Sequence, residues 1–223
     1  MSKELFFKAI IKLTFGIIII GILIFLPAGT FRFWNGWLFM GLLFIPMIMA
    51  GFVLMTKNPK LLEKRLNAKE KENEQKIVIM LSAIMFIAGF VIAGFNYRYQ
   101  WIQLPNIVVI IASALFLISY ILYAEVMREN KYLSRTIEVQ EGQRVVDTGL
   151  YRIVRHPMYA ITVVLFLTFP LILGSIISFV IFLLYPFIII KRIKNEEMVL
   201  EKELNGYTDY KKKVKYRLIP FIW

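Results

Sequence analysis

Apolar residues in this chain occur in long continuous blocks rather than along one face of each helix. Four blocks, at about 6–27, 34–55, 77–95 and 105–124, contain very few charged side chains. Each is close to the roughly 20 residues that an α-helix needs to cross a hydrocarbon core of about 30 Å. The pattern therefore predicts four transmembrane helices in the first part of the chain.

A fifth apolar stretch, about 159–190, is too long for a single membrane crossing. It is interrupted by residues that bend or end helices: Pro170, Gly174-Ser175 and Pro186. We therefore expect a transmembrane helical hairpin with one arm over 159–173 and the other over 176–190. Each arm would be about 22 Å long at 1.5 Å per residue, so the hairpin is expected to be shallow or to thin the bilayer locally.

Positive charge is distributed very unevenly among the segments that connect the apolar blocks. All but two of the 27 lysine and arginine residues lie at the N-terminus, in the loops 56–76 and 125–158, or in the tail 191–223. The two exceptions are Arg32 and Arg98, in connections on the opposite side. Because cytoplasmic loops carry an excess of lysine and arginine, both termini are expected to face the cytoplasm.

The loop 56–76 is highly charged and contains a helical pattern. Leu61, Leu62 and Leu66 form a small apolar face among lysine and glutamate residues. We interpret the loop as an amphipathic cytoplasmic helix that lies on the lipid headgroups. This interpretation makes it a solvated anchor rather than part of a functional site.

Composition supports a membrane protein and excludes several kinds of site. Of the 223 residues 59% are hydrophobic and 19% charged, against about 45–50% and about 25% in soluble domains. The chain has no cysteine and one histidine, His156, which excludes disulfides, thiolate catalysis, iron–sulfur clusters and multi-histidine metal sites. The net charge of +12 flanks the apolar blocks, so the lipid bilayer is the expected partner, and neither nucleic acid nor a metal is expected.

Two polar segments, at about 141–159 and 191–223, bracket the predicted hairpin. Since a hairpin returns the chain to its starting side, the two segments are expected to meet. Pro157 favours the first turn of a helix, which puts His156 at its N-cap beside backbone amides that suit an anion. The alternative is a group of basic residues that only anchors this helix at the membrane interface: Arg152, Arg155 and His156.

Arg192 and Glu196 are four residues apart and therefore share one face of a helix at the membrane edge. Glu197 points to a different face. A carboxylate close to the bilayer is unfavourable unless a cation neutralises it. That cation is either Arg192 itself or a cationic ligand, and the residues alone leave both possibilities open.

Four motifs follow one another in the last third of the chain. They are Gly-x-Tyr-x-x-x-Arg-His-Pro-x-Tyr from Gly149, Arg-x-x-x-Glu-Glu from Arg192, Gly-Tyr-x-x-Tyr from Gly206 and Arg-Leu-Ile-Pro-x-x-Trp from Arg217. In these motifs the chain resembles the isoprenylcysteine carboxyl methyltransferase family, which belongs to a wider group with the phospholipid N-methyltransferases. The resemblance covers about 140–223, whereas the four preceding helices match only in being membrane helices.

The resemblance implies an all-α membrane enzyme that uses S-adenosyl-L-methionine. Residues 1–139 would then hold transmembrane helices 1–4 and the loop 56–76. Residues 140–223 would form the methyltransferase region, in which the hairpin 159–190 is followed by a C-terminal cytoplasmic cap over the cofactor.

The resemblance also carries functional residues onto this sequence. The family's substrate-binding arginine corresponds to Arg192, and the expected catalytic residues are Arg192, Glu196 and His156. The cofactor contacts carry over to Gln140, Gln143, Arg144, Val145, Val146, Tyr151, His156, Pro157, Met158, Tyr159 and Glu196. Contacts in the block at Gln143 and Arg144 are expected to involve the backbone.

The chemistry of these side chains is consistent with such a cofactor. Glu196 can pair with an ammonium group, His156 and the helix start can hold a carboxylate, and tyrosine faces suit a sulfonium. The methyl acceptor would be a lipophilic or small molecule, with a carboxylate favoured because opposite charges cancel on transfer. Amine and thiol acceptors stay open, and an amine would need a base such as His156.

Two other functions share features with this sequence. A membrane reductase of the sterol type, using NADPH, has a related Arg-His-Pro-x-Tyr region but would need further basic residues for the 2′-phosphate and no Arg192/Glu196 pair. A small transporter or lipid-binding protein would carry ionisable residues inside its spans. The four N-terminal blocks contain almost none.

Overall fold

The computed structural model describes residues 3–66, 73–134 and 136–223. The chain is helical over these residues, with no β-strand in the described ranges, so the predicted all-α fold class is confirmed. The helices are α1 (Lys3–Ala28), α2 (Trp34–Lys57), α3 (Pro59–Leu66), α4 (Asn73–Tyr99), α5 (Asn106–Glu129), α6 (Pro157–Ile172), α7 (Ile176–Phe182), α8 (Tyr185–Glu203) and α9 (Tyr207–Lys213), with a 3₁₀ turn at Gly149–Arg152.

Five helical stretches are long and apolar enough to cross a membrane. They are Glu4–Ala28, Trp34–Lys57, Gln75–Tyr99, Asn106–Glu129 and Ile176–Glu203, the last of which combines α7 and α8. Large apolar side chains are exposed along their surfaces, among them Phe15, Phe52, Ile121 and Phe187. Contiguous apolar surface of this kind is stable in lipid rather than in water. The chain is therefore a polytopic integral membrane protein.

The chain reverses direction at the predicted position, but the two arms differ in length. Gly174, with a φ of +74°, forms the turn, and the Ser175 side chain accepts a hydrogen bond from the Ser178 amide at the start of α7. The first arm, α6, has 16 residues, whereas the returning stretch continues for 28 residues to Glu203. The transmembrane arm was expected to end at residue 190, but α8 continues without a break through the Arg192/Glu196 segment, whose polar residues contact the start of α6.

Aromatic side chains fill the space between α4, α6 and α7. The ring of Phe169 lies 6.1 Å from that of Phe182. Gly89 on α4 permits this packing, because a Cβ there would lie 2.2 Å from the Phe182 ring. At Gly94 a Cβ would lie 2.7 Å from the carbonyl oxygen of Ile24, so α1 also approaches α4 closely. These contacts hold α4 beside the returning arm, whose end forms part of the site described below.

Helix α3 forms the predicted amphipathic helix over Pro59–Leu66, and its apolar side packs against the protein. Its two buried side chains are Leu61 and Leu62. Its basic side chains donate hydrogen bonds to later parts of the chain: Lys64 to Gln140, and Arg65 to Tyr123. Through the buried leucines and these hydrogen bonds, α3 connects the early helices with later parts of the chain. Residues 67–72 of the loop lie outside the described residues.

Candidate active site

A cavity of about 100 Å³ lies where α5, α6 and α8 meet α9 and the segment 130–146. Both polar segments singled out in the sequence contribute to its lining. The expected convergence of these segments is therefore present.

The start of α6 is fixed by the C-terminal tail. Pro157 is the first residue of the helix and His156 is its N-cap, as the sequence predicts. The backbone amides of Arg155 and His156 donate to the carbonyl oxygens of Tyr216 and Arg217, at 2.9 and 3.0 Å. The His156 amide is thereby engaged and is not available to an anion at this helix start.

Glu197 is the centre of a buried ionic network. Its carboxylate accepts hydrogen bonds from Arg155 Nε at 2.7 Å, from His156 Nε2 at 3.2 Å and from Arg217 Nε at 2.8 Å. Arg155 also donates to the carbonyl oxygens of Val214 and Lys215. A buried carboxylate is tolerated only when cations and hydrogen bonds compensate it, as they do here. The network joins α6, α8 and the tail.

This network excludes a purely interfacial role for two of the basic residues. Arg155 and His156 are both buried, and their side chains contact Glu197. Arg152 is exposed and remains compatible with an interfacial anchor. The alternative interpretation as an anchor is therefore wrong for Arg155 and His156.

The Tyr159 hydroxyl links Arg192 to Glu196. It donates a 2.5 Å hydrogen bond to Glu196 Oε2 and accepts one of 2.8 Å from Arg192 Nε. His156 Nδ1 lies 3.9 Å from the other carboxylate oxygen of Glu196. Arg192 Nη1 donates to Gln75 Oε1 at 2.9 Å. Arg192 and Glu196 thus occupy one face of α8, as predicted, with a tyrosine hydroxyl bonded to both.

Tyrosines form another side of the cavity. The Tyr151 hydroxyl accepts a hydrogen bond from Asn130 Nδ2 at 2.9 Å, and the Tyr210 hydroxyl donates to the Tyr151 carbonyl oxygen at 2.7 Å. Tyr207 is 4% exposed, and its hydroxyl has no hydrogen-bond partner in the part of the chain that the structure describes. Burial raises the pKa of all three hydroxyls well above the usual range. They therefore remain neutral donors near pH 7.

Most of the residues suggested by the sequence line this one cavity. Those in its lining are Gln143, Arg144, Val145, Val146, Tyr151, His156, Met158, Tyr159, Arg192 and Glu196. Gln140 and Pro157 are not among the lining residues. The Gln140 side chain instead donates to the Tyr132 carbonyl oxygen at 2.6 Å, and Pro157 is buried at the helix start. The cofactor and catalytic roles of all these residues stay predictions.

Other lining residues were not identified from the sequence. The segment between α5 and Gln143 contributes Asn130, Tyr132, Leu133, Ser134, Thr136, Ile137 and Glu138, and the later helices contribute Leu200, Tyr207 and Tyr210. The two tyrosines belong to the Gly-Tyr-x-x-Tyr motif, which contributed to the family resemblance, although no function was predicted for either tyrosine. The segment 130–138 has no motif or periodicity by which it could have been found.

Comparison with known proteins identifies the region that builds this cavity. No curated protein is significantly similar to the chain. The model of the isoprenylcysteine carboxyl methyltransferase (ICMT) family matches residues 108–202. The match runs from α5 almost to the end of α8 and includes His156, Tyr159, Arg192 and Glu196. The match supports the resemblance noted in the sequence: residues 108–202 are similar to the isoprenylcysteine carboxyl methyltransferase family, a family of methyltransferases.

Proposed function

We propose that the protein is an S-adenosyl-L-methionine-dependent methyltransferase that acts on a lipophilic or small acceptor, with a carboxylate favoured. The observation that carries this proposal is the grouping of Glu196, His156, Arg192 and the unpartnered Tyr207 hydroxyl around one cavity. This cavity offers an acidic, a basic and a neutral donor group within the region matched by the family or directly after it.

The chain's own residues fit the cofactor. S-adenosyl-L-methionine would supply an electrophilic methyl group on a positively charged sulfur. Glu196 would bind its ammonium group. One carboxylate oxygen of Glu196 accepts a hydrogen bond from Tyr159, but the other lies 3.9 Å from His156 Nδ1, too far for a hydrogen bond, and can accept one from the ammonium group. The face of Tyr151 suits the positive sulfur. The buried Tyr207 hydroxyl would find in the cofactor the hydrogen-bond partner that it lacks among the described residues.

Glu197 is buried next to the cavity and is not part of its lining. It holds Arg155, His156 and Arg217 together, and thereby fixes the start of α6 and the tail around the cavity. Its bond to His156 Nε2 orients the ring so that Nδ1 faces Glu196. The methyl acceptor and cofactor would therefore meet a rigid surface, which is what an in-line transfer requires.

A carboxylate acceptor agrees best with the side chains present. Methylation of a carboxylate removes its negative charge and releases no proton, so it requires orientation and no general base. Arg192 supplies a guanidinium beside the cavity to orient such a group. His156, by contrast, is buried between two carboxylates and is already engaged by Glu197, which disfavours a role as the base for an amine.

We further propose that residues 140–223 form a catalytic region on the cytoplasmic face, with both termini in the cytoplasm. The support is the charge distribution, since only Arg32 and Arg98 of the 27 basic residues lie on the opposite side. The tail, which pairs with the start of α6, would then close the cavity toward the cytoplasm. The reductase and transporter alternatives gain no support from the match over 108–202.

An assay of methyl transfer tests both the activity and the acceptor class. Membranes containing the protein are incubated with S-adenosyl-L-methionine labelled in the methyl group and with N-acetyl-S-farnesylcysteine. Carboxyl methylation is expected to give a product that releases volatile labelled methanol in alkali. This acceptor has neither a free amine nor a free thiol, so alkali-stable label in another membrane component would point to an amine or thiol acceptor. No incorporation in any fraction would contradict the proposed activity.

A further inference from the structure

Gln75 lies in the first turn of α4, before the residues matched by the family, and its side chain is completely buried. Its Oε1 accepts the 2.9 Å hydrogen bond from Arg192 Nη1. A guanidinium can only donate, so the carboxamide must turn its oxygen toward Arg192. The Nε2 group is consequently directed elsewhere, and it has no hydrogen-bond partner among the described residues.

An unpartnered buried donor is rare in folded proteins and needs an explanation. For Gln75 the explanation follows from its bond to Arg192, since a ligand bound by Arg192 would also reach this donor. The Nε2 group belongs to the same carboxamide as the oxygen that binds Arg192. The Gln75 amide and the Arg192 guanidinium are therefore neighbouring donor groups. Arg192 lines the cavity. This part of the site offers donors, and it therefore suits a group that accepts hydrogen bonds and carries negative charge.

The hydrogen bonds that begin at Gln75 continue through Arg192 and Tyr159 to a negatively charged group, Glu196. Arg192 donates to Tyr159, and Tyr159 donates to Glu196. Gln75 and Glu196 therefore terminate one line of side chains, with donors at the first end and a carboxylate at the other. A cation fits at Glu196 and an anion fits at Gln75.

An apolar groove reaches the same corner of the molecule. It runs between α4 and the returning arm, and its lining includes Val78, one helical turn after Gln75, and Lys191, which precedes Arg192. Nearly all of its surface is apolar. A ligand with an apolar chain in this groove would bring its polar end next to Gln75 and Arg192.

We propose that Gln75 is part of the methyl-acceptor site. Its Nε2 group donates to an anionic oxygen that Arg192 also binds, and its Oε1 positions the Arg192 guanidinium. This inference rests on the proposed function and deepens it. It names the acceptor group as an oxyanion, such as a carboxylate, and assigns its selection in part to a helix outside residues 108–202.

Calorimetric titration of the purified full-length protein, saturated with S-adenosylhomocysteine, tests this assignment. The probes are N-acetyl-S-farnesylcysteine and its methyl ester, in which a methyl group replaces the negative charge of the carboxylate. The wild-type protein is expected to bind the acid at least 10-fold more tightly than the ester. Gln75→Leu should lower the affinity for the acid roughly 10-fold and leave affinities for the ester and for S-adenosylhomocysteine unchanged. Equal binding of acid and ester by the wild type, or unchanged acid affinity in Gln75→Leu, overturns the proposal.

Two further variants separate direct binding from the positioning of Arg192. Gln75→Glu keeps an oxygen for Arg192 but replaces the amide donor by a negative charge, so acid affinity should fall at least as far as in Gln75→Leu. Wild-type acid affinity in Gln75→Glu also overturns the proposal. Asn195→Ala is the matched control, because Asn195 is another buried carboxamide whose Nδ2 has no partner in the described ranges, yet it shares no hydrogen bond with Arg192 there. Its acid affinity should match the wild type.

The same titrations distinguish failure of this inference from failure of the proposed function. If the wild type does not bind S-adenosylhomocysteine, the proposed methyltransferase activity fails, and the inference fails with it. If it binds S-adenosylhomocysteine but does not prefer the acid, only the role of Gln75 fails.

Discussion

Glu196 and Glu197 are adjacent in the sequence, yet their carboxylates lie in two different environments. Glu197 is 2% exposed and is bound by the side chains of Arg155, His156 and Arg217. The Glu196 side chain is 24% exposed and lines the cavity. One carboxylate therefore holds the region together, and its neighbour is available to a ligand. Mutations of the two residues should consequently have different effects.

Replacing Glu197 should destabilise the fold. Glu197→Gln keeps the shape of the side chain but leaves Arg155 and Arg217 without their compensating charge. Removing one partner of a buried ion pair costs about 3 kcal/mol or more. We expect a clearly lower thermal unfolding midpoint in detergent than for the control Glu203→Gln, which changes an exposed residue at the end of the same helix. Equal midpoints for the two variants would contradict the structural role of Glu197.

Removing the Tyr207 hydroxyl should weaken cofactor binding without weakening the fold. Because this hydroxyl has no partner among the described residues, Tyr207→Phe breaks no hydrogen bond within them. A bond to the cofactor is worth about 1 kcal/mol, so the affinity for S-adenosylhomocysteine should fall roughly 5-fold. The unfolding midpoint of the ligand-free protein should not decrease.

Tyr210→Phe provides the comparison for Tyr207. It removes the bond from the Tyr210 hydroxyl to the Tyr151 carbonyl oxygen, so it should lower the unfolding midpoint of the ligand-free protein. If Tyr207→Phe instead destabilises the protein and leaves affinity unchanged, the hydroxyl serves the fold and not the ligand.

Alkaline pH is expected to destabilise the protein through the same tyrosines. Burial raises the pKa of Tyr151, Tyr207 and Tyr210, so the folded state keeps protons that the unfolded chain loses near pH 10. Their contribution is fully present below pH 10. Above pH 10 the folded state binds more protons, and the free energy of unfolding falls by about 1.4 kcal/mol per pH unit for each phenol. Unfolding midpoints between pH 8 and 11.5 should fall less steeply in Tyr207→Phe, and identical slopes would contradict this.

The orientation in the membrane can be measured directly because the chain contains no cysteine. Phe221→Cys introduces a thiol at a highly exposed position of the tail, and Phe31→Cys introduces one in the exposed connection between α1 and α2. In sealed vesicles whose cytoplasmic face points inward, a membrane-impermeant maleimide should label Phe31→Cys at once and Phe221→Cys only after lysis. The reverse order would place the termini on the other side.

Much of the fold could be predicted because the apolar blocks are long and the breaks between them are sharp. Gly174 marks the turn of the hairpin, and Pro157 marks the start of α6. The end of the returning helix could not be predicted from hydropathy. Beyond residue 190 the helix is polar, and it is stabilised by contacts of Arg192 and Glu197 with residues of other segments. Such contacts depend on the tertiary structure and leave no local pattern.

The site was predictable where motifs mark it and unpredictable where packing decides it. Tyr159, Arg192 and Glu196 belong to ordered motifs and line one cavity. Gln75 has no motif, since its importance arises only from its contact with Arg192, 117 positions away in the sequence. The sequence likewise showed only that Glu196 and Glu197 point to different faces of a helix, without any indication of which face is buried.

The central claim is that this cavity binds S-adenosyl-L-methionine through Glu196. The most direct measurement is the calorimetric affinity of the purified protein for S-adenosylhomocysteine, with NADPH as the comparison ligand and with Glu196→Gln and Glu203→Gln as paired variants. We predict micromolar binding of S-adenosylhomocysteine and none of NADPH. The affinity should be lost roughly 10- to 100-fold in Glu196→Gln and retained in Glu203→Gln. Unchanged affinity in Glu196→Gln, or binding of NADPH alone, would contradict the account.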